Sequence, residues 1–346
     1  MKSRGLAIDN ATSPLKTFEF ERRDIGSHDV GLDVKYTGIC HSDIHTARGE
    51  WGPAYYPLVP GHEIAGVVTT IGSAVTKFKV GDLIGVGVFV DSCRKCANCQ
   101  KGLQQYCLEG MTGTYNSIER DGKNETRGGY SNNFVINEDY AVHIPANLAL
   151  EGVAPLLCAG ITLYSPIKHF KVGPATKVAV MGLGGLGHMG VKFAVAMGAE
   201  VTVLSHSASK EKDAKSMGAH HFVNTAEAGA FAKLKKSFDI ILNTVSAELD
   251  INEYLQCLKL DGTLVIIGLP GMPYSLQAHV MLDGRRSITG SMIGGVSELQ
   301  EMINFCGEKN ILSDVEVIKA DYANTAYDRT VASDVKYRFV IDASTF

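Results

Sequence analysis

No apolar stretch in this 346-residue sequence is long and uninterrupted enough to cross a bilayer, and the start Met1-Lys-Ser-Arg-Gly-Leu-Ala-Ile-Asp9 lacks the long apolar segment of a signal peptide. A cytoplasmic protein is expected. A basic excess is missing too: 33 lysines and arginines stand against 37 aspartates and glutamates, for a net charge of -4. With no basic run interleaved with aromatics, the chain offers no face to nucleic acid. Tryptophan occurs once, as Trp51. What is present suits a soluble globular protein, 45% hydrophobic and 20% charged, with 37 glycines that imply many tight turns. The length exceeds one ordinary compact core, so two domains are expected. Eight cysteines in a reducing compartment read as metal ligands or buried thiols rather than as disulfides.

The stretch Cys40-His41-Ser42-Asp43-Ile44-His45 and its continuation Pro60-Gly61-His62-Glu63 place a thiolate, an imidazole and a proton relay around one point. Zinc takes Cys sulfur and His nitrogen readily, and a catalytic zinc needs only three protein ligands. Cys40 and His62 supply two. Cys158, alone in the apolar run Val153–Gly160, is the candidate for the third. Taken singly, each thiol reads as a small buried hydrophobe and His62 as a loop histidine; their company points to a metal.

A second constellation is Cys93, Cys96, Cys99 and Cys107, spaced C-x2-C-x2-C-x7-C. Four thiolates close a tetrahedral shell, the pattern of a structural zinc that pins a polar loop. An iron–sulfur cluster competes for such a run, but the bacterial pattern has a final spacing of about three followed by proline. Here Leu108 follows Cys107 after the longer gap.

Alternating residues in Asp29–Tyr36, and the runs Val67–Ile71 and Asp82–Val90, predict strands of a small curved sheet or partly closed barrel. From Lys177 the pattern changes. A buried strand at Val178–Met181 leads into Gly182-Leu-Gly184-Gly185-Leu186-Gly187 and then a helical run, the setting in which glycines let a pyrophosphate approach a helix N-terminus. Strands near 200–204, 221–223, 238–242, 263–267 and 287–291, with helices between, predict an α/β fold with a doubly wound parallel sheet. At the end of the second strand an acidic residue would favour NAD. None is there; Ser205, His206, Ser207 and Lys210 offer hydroxyls and a cation suited to the extra phosphate of NADP(H). Ser209 also reads as a helix cap.

These motifs, together with Leu156-Leu-Cys158-Ala-Gly-Ile161, Gly290-Ser-Met-Ile-Gly-Gly295 and Asp334–Asp342, resemble the zinc-dependent medium-chain alcohol dehydrogenases, within them the cinnamyl alcohol dehydrogenase group. The resemblance spans essentially the whole chain. It implies a Rossmann domain over 157–296 and a discontinuous, mainly β GroES-like catalytic domain over 1–156 and 297–346. It implies that Cys40, His62 and Cys158 hold catalytic zinc, with Glu63 a transient ligand and Asp43 orienting His62. Ser42 and His45 would relay the alcohol proton, and Trp51 would form an apolar wall for substrate. Cofactor contacts would come from His41, Thr162, Thr244, Ser291, Ile293 and Arg338, besides the glycine loop. The family commonly shows successive serines after the second strand; His206 interrupts them here. The expected activity is zinc-dependent interconversion of aromatic or medium-chain primary alcohols and aldehydes with NADP(H), mainly as aldehyde reduction, in a homodimer. A polyol or secondary-alcohol dehydrogenase is the alternative within the superfamily. A non-catalytic binding protein would show decayed ligands, and here they are intact.

Overall fold

Apolar residues at every second position, Val30, Leu32 and Val34, turn one face of the strand Asp29–Gly38 inward. That strand pairs antiparallel with Ile64–Ile71, Asn133–Asn137 and the C-terminal strand Arg338–Asp342. The sheet has seven strands, in the order Val315–Ile318, Arg338–Asp342, Asp29–Gly38, Ile64–Ile71, Leu83–Val86, Ala141–His143, with Asn133–Asn137 beside Asp29–Gly38. The predicted strand Asp82–Val90 is broken into Leu83–Val86 and Phe89–Asp91. At the break the Gly87 and Val88 carbonyls turn to accept from the Thr114 hydroxyl and N–H, which ends the ladder.

The computed structural model describes residues 1–346. It separates into two units, Met1–Ile161 with Gly294–Phe346, and Thr162–Ile293. The divisions lie at 161/162 and 293/294 rather than at the expected 156/157 and 296/297. The short helical turn Ala154–Leu157 packs on the strands Asp29–Gly38, Ile64–Ile71, Leu83–Val86 and Arg338–Asp342, so Cys158 belongs with the first unit.

In the second unit six strands run parallel in the order His221–Asn224, Glu200–Ser205, Lys177–Met181, Phe238–Asn243, Leu258–Ile266, Ser287–Gly290. Val178, Ala179 and Val180 are wholly buried because helices cover both faces of a parallel sheet, which is why the run is continuously apolar. The chain reverses its direction of travel across the sheet at Lys177–Met181, the place where open α/β sheets bind ligands. No single helix is long and apolar enough to cross a membrane.

Candidate metal centre and nucleotide-binding loop

The helix His41–Ala47 starts as the chain leaves Asp29–Gly38, with Cys40 extended at its N-cap (φ −116°, ψ 151°). Three residues on, Asp43 reaches back and accepts the Cys40 N–H at 3.0 Å. This capping bond carries the carboxylate into the interior, where Asp43 is wholly buried. Oδ1 accepts from Gly61 N–H at 3.1 Å and His62 Nδ1 at 3.0 Å; Oδ2 accepts also from the Tyr130 hydroxyl at 3.2 Å. With Nδ1 donating to a carboxylate, the His62 lone pair is on Nε2, and Nε2 is buried without any hydrogen-bond partner.

Glu63 is arranged in the same way. Arg338, buried, donates to the Ile39 carbonyl from Nε at 3.2 Å and from Nη2 at 2.8 Å, and Nη2 also donates to Glu63 Oε1. Glu63 Oε2 is buried and unpartnered. A Cβ on Gly38 would overlap that oxygen, so the glycine two residues before Cys40 makes room for the carboxylate.

Donor atoms of Cys40, His62, Glu63 and Cys158 lie within 4.8 Å of one another. Charge is concentrated here. The hydrogen bond with Cys158 draws the Cys40 thiol well below its usual range, helped by Arg338 and His62 against the effect of burial. Cys158 is pushed upward by the same bond and by burial. Burial lifts Glu63 to about 8 in spite of Arg338. Burial alone would lower His62, but Asp43 and Cys40 raise it well above its ordinary value. Two sulfurs, one aimed imidazole nitrogen and an unpartnered carboxylate oxygen make a donor set that fits zinc, and a cation removes the cost of two buried acceptors left without donors.

Near this cluster Ser42 Oγ lies 3.6 Å from Cys40 Sγ. His45, one helical turn on, pairs through Nδ1 with Glu50 and stacks on Trp51 with ring centroids 4.9 Å apart. Trp51 is 52% exposed, so it does not fill a core. His41 is exposed on the same helix, its ring 6.0 Å from that of His45. Tyr115 stacks over His62 at 5.8 Å.

The sulfurs of Cys93, Cys96, Cys99 and Cys107 also lie within 4.8 Å of one another, and none of the eight cysteines is in a disulfide. Backbone N–H groups point at them: Cys96 N to Cys93 Sγ at 3.3 Å, Cys93 N to Cys107 Sγ at 3.4 Å, and Cys99 N and Leu108 N to Cys96 Sγ at 3.5 Å. The Leu108 and Cys99 N–H bonds bring Cys96 down to about 6. Burial instead lifts Cys99 to about 11; four converging sulfurs with backbone N–H donors fit a closed tetrahedral thiolate shell, which would hold a structural zinc.

In the second unit Gly182, with φ +83°, follows the strand Lys177–Met181, and the helix Gly187–Ala196 follows Leu186. A Cβ on Gly187 would collide with the Gly182 carbonyl, whereas one on Gly184 would meet nothing within 4 Å. Gly187 is therefore required by packing, and Gly184, with Gly185 beside it, leaves backbone open to a ligand. Thr244 closes the loop from below, its hydroxyl donating to the Met181 carbonyl at 2.6 Å. Ser291 N donates to the Ile266 carbonyl at 3.1 Å, and buried Ile293 has φ +37°. At the end of Glu200–Ser205, Ser205 Oγ accepts from Ser207 N at 3.2 Å; His206 is exposed, and Ser207 and Lys210 are half-buried. Thr162 is buried in the helix Ala159–His169.

Of the expected site residues, Cys40, His41, Ser42, Asp43, His45, Trp51, His62, Glu63, Cys93, Cys96, Cys99, Cys107, Cys158 and Arg338 fall in the first unit, and the others in the second. Arg338, expected against the cofactor, is buried on Ile39 and Glu63. Four participants escaped sequence reasoning: Tyr130 under Asp43, Tyr115 over His62, Glu50 on His45, and Arg338 in its role toward Glu63. Only Glu50, five residues after His45 across a glycine turn, was within reach of a local signal.

Residues 26–146 match the family described as alcohol dehydrogenase GroES-like domain, and residues 185–308 the family described as zinc-binding dehydrogenase. The chain is 57% identical over 340 residues to NADP-dependent alcohol dehydrogenase C 1 of Mycolicibacterium smegmatis, covering 98% of this chain and 97% of that protein. Among solved structures it is similar to a cinnamyl alcohol dehydrogenase from Sorghum bicolor, with TM-score 0.96 and 42% identity over 99% of this chain and 98% of that one. It is likewise similar to the cinnamyl alcohol dehydrogenase of Helicobacter pylori complexed with NADP(H), with TM-score 0.93 and 42% identity over 99% of both chains. The chain belongs to the zinc-binding medium-chain alcohol dehydrogenases, in the cinnamyl alcohol dehydrogenase group.

Proposed function

We propose that this protein interconverts primary alcohols and aldehydes, aromatic or medium-chain aliphatic, using NADP(H), with aldehyde reduction as its main direction. The observation that carries the reading is the buried, unpartnered Nε2 of His62, aimed at two thiols and a carboxylate oxygen. Cys40, His62 and Cys158 would hold a zinc ion there, with Glu63 Oε2 the neighbouring oxygen donor. When bound, zinc supplies a Lewis acid for an alcohol or aldehyde oxygen. Asp43 keeps the His62 ring in the one orientation and tautomer that presents Nε2.

The chain's own groups move the proton. The Ser42 hydroxyl, beside the metal donors, would accept it from the alcohol, and His45, one helical turn on and nearer solvent, would take it at the outer end. Because Nδ1 of His45 donates to Glu50, Nε2 carries the lone pair that receives the proton. NADP(H), when bound, would supply or take up the hydride exchanged with the alcohol carbon. NADP(H) rather than NAD(H) is supported by Ser205, Ser207 and Lys210 at the end of Glu200–Ser205, where no carboxylate would repel a 2′-phosphate. The relative named for NADP and the neighbour complexed with NADP(H) support the same choice. The loop of Cys93, Cys96, Cys99 and Cys107 would hold a second, structural zinc.

The test is metal analysis together with a panel of aldehydes and alcohols read by reduced-cofactor absorbance. The expected result is two zinc ions per chain and oxidation of NADPH, faster than NADH, on mixing with benzaldehyde or cinnamaldehyde. A preference for sorbitol-like polyols over every apolar substrate would replace this reading with a polyol dehydrogenase.

A further inference from the structure

The carboxylate of Asp43 is wholly buried, and only one of its four hydrogen bonds comes from a group that the metal reading employs. Two of the others come from backbone, which the fold holds in place. The remaining donor is the hydroxyl of Tyr130, a residue 87 positions away and itself wholly buried. Tyr130 is fixed from several sides. Its N–H donates to the Pro60 carbonyl and its own carbonyl accepts from Leu6 N–H, each at 2.9 Å. Its ring lies where a side chain on Gly61 would collide with it. Tyr327, on the helix Ala323–Val331, donates its hydroxyl to the Tyr130 hydroxyl at 3.5 Å, with the two rings edge-on at 6.4 Å.

We propose that Tyr130 is a positioning residue for the catalytic metal site, its hydroxyl locking Asp43 so that His62 presents Nε2 to the metal, with Tyr327 aligning Tyr130 in turn. The inference rests on the metal reading above. Its physical basis is that each Asp43 oxygen has two donors: Gly61 N–H and His62 on Oδ1, Cys40 N–H and Tyr130 on Oδ2. Removing the Tyr130 donor leaves Oδ2 under-coordinated in a wholly buried position, and the carboxylate gains freedom to turn away from His62. A hydroxyl donating to the hydroxyl that meets the carboxylate strengthens that bond, because polarisation runs along the chain.

The test is zinc release from the intact holoenzyme into a chromogenic chelator, in the parent, Tyr130→Phe, Tyr327→Phe and Cys158→Ala. The release phase absent from Cys158→Ala belongs to the catalytic site. Tyr130→Phe should speed that phase about tenfold and leave the phase from the four-cysteine loop unchanged, in keeping with the cost of removing outer partners of metal ligands. Tyr327→Phe should speed it less. Release from Tyr130→Phe at the parental rate overturns the proposal, whether or not its unfolding midpoint falls, since the hydroxyl would then serve packing alone. Should Tyr130→Phe fail to fold, parental release from Tyr327→Phe overturns it equally. A parent with no release phase missing from Cys158→Ala would instead sink the metal reading itself, which separates the two failures.

Discussion

Ser42 stands two residues after Cys40 and three before His45 on one short helix, so its hydroxyl faces the metal donors while His45 lies nearer solvent. That gradient sets the expected sizes of two losses. Ser42→Ala should lower kcat by about 100-fold with little change in the cofactor KM, because it removes the hydroxyl that stands 3.6 Å from Cys40 Sγ beside the donors. His45→Ala should cost about tenfold, because water reaches the outer end of the relay, and added imidazole should restore part of the loss. In the proposed relay Glu50, paired with His45 Nδ1, would fix which His45 nitrogen receives the proton, so Glu50→Gln should fall between His45→Ala and the parent. Steady-state kinetics of the three variants checks the order; equal turnover in Ser42→Ala and the parent would remove the relay.

At the scale of elements, the glycine loop separates two uses of the same residue type. Gly187 has the Gly182 carbonyl where a Cβ would go; Gly184 has open space. Gly187→Ala should therefore lower the unfolding midpoint and weaken cofactor binding together. Gly184→Ala should leave the midpoint near that of the parent and still raise the NADPH dissociation constant about tenfold, because the added methyl would stand in the open space proposed to receive the pyrophosphate. Fluorescence titration with NADPH beside thermal melts distinguishes them, and a Gly184→Ala protein with parental affinity would show that the ligand lies elsewhere. The loop and its strand are legible in the sequence because strand, turn and helix are consecutive and each carries its own period. The strand expected to begin at Thr263 instead begins at Leu258, since Leu258 pairs with Phe238 before the register shifts. The break at Gly87 depends on Thr114, a contact no local pattern announces.

For the whole molecule, the legible part of the site is the part written in short motifs, and the illegible part is what long-range folding adds. Cys40, His62 and the four-cysteine loop announce themselves by residue type and spacing, because metal chemistry restricts which residues can stand there, whereas Asp43 is legible only through the family resemblance. Arg338 meets Glu63 across 275 positions and Tyr130 meets Asp43 across 87, pairings that only the sheet and its returning C-terminal strand create. These contacts also decide the polarity felt by a substrate. Asp43, Glu63 and Arg338 are all buried and paired with protein groups. Aromatic side chains also stand beside the donors and the relay: Tyr115 over His62, and Trp51, half-exposed, over His45. An apolar aldehyde with one reacting oxygen suits those surroundings better than a polyol, whose hydroxyls would lose water without gaining partners. Trp51→Ala should accordingly raise KM for cinnamaldehyde by about tenfold, the effect of losing about 50 Å² of apolar contact worth about 1.3 kcal/mol. Acetaldehyde, too small to reach the indole, should keep nearly its parental KM, and kcat should change little for either substrate because the indole carries no proton in the relay. Michaelis constants for the two aldehydes, in the variant and the parent, give the answer; equal shifts for both would take the indole out of the substrate's path and leave it only the support of His45.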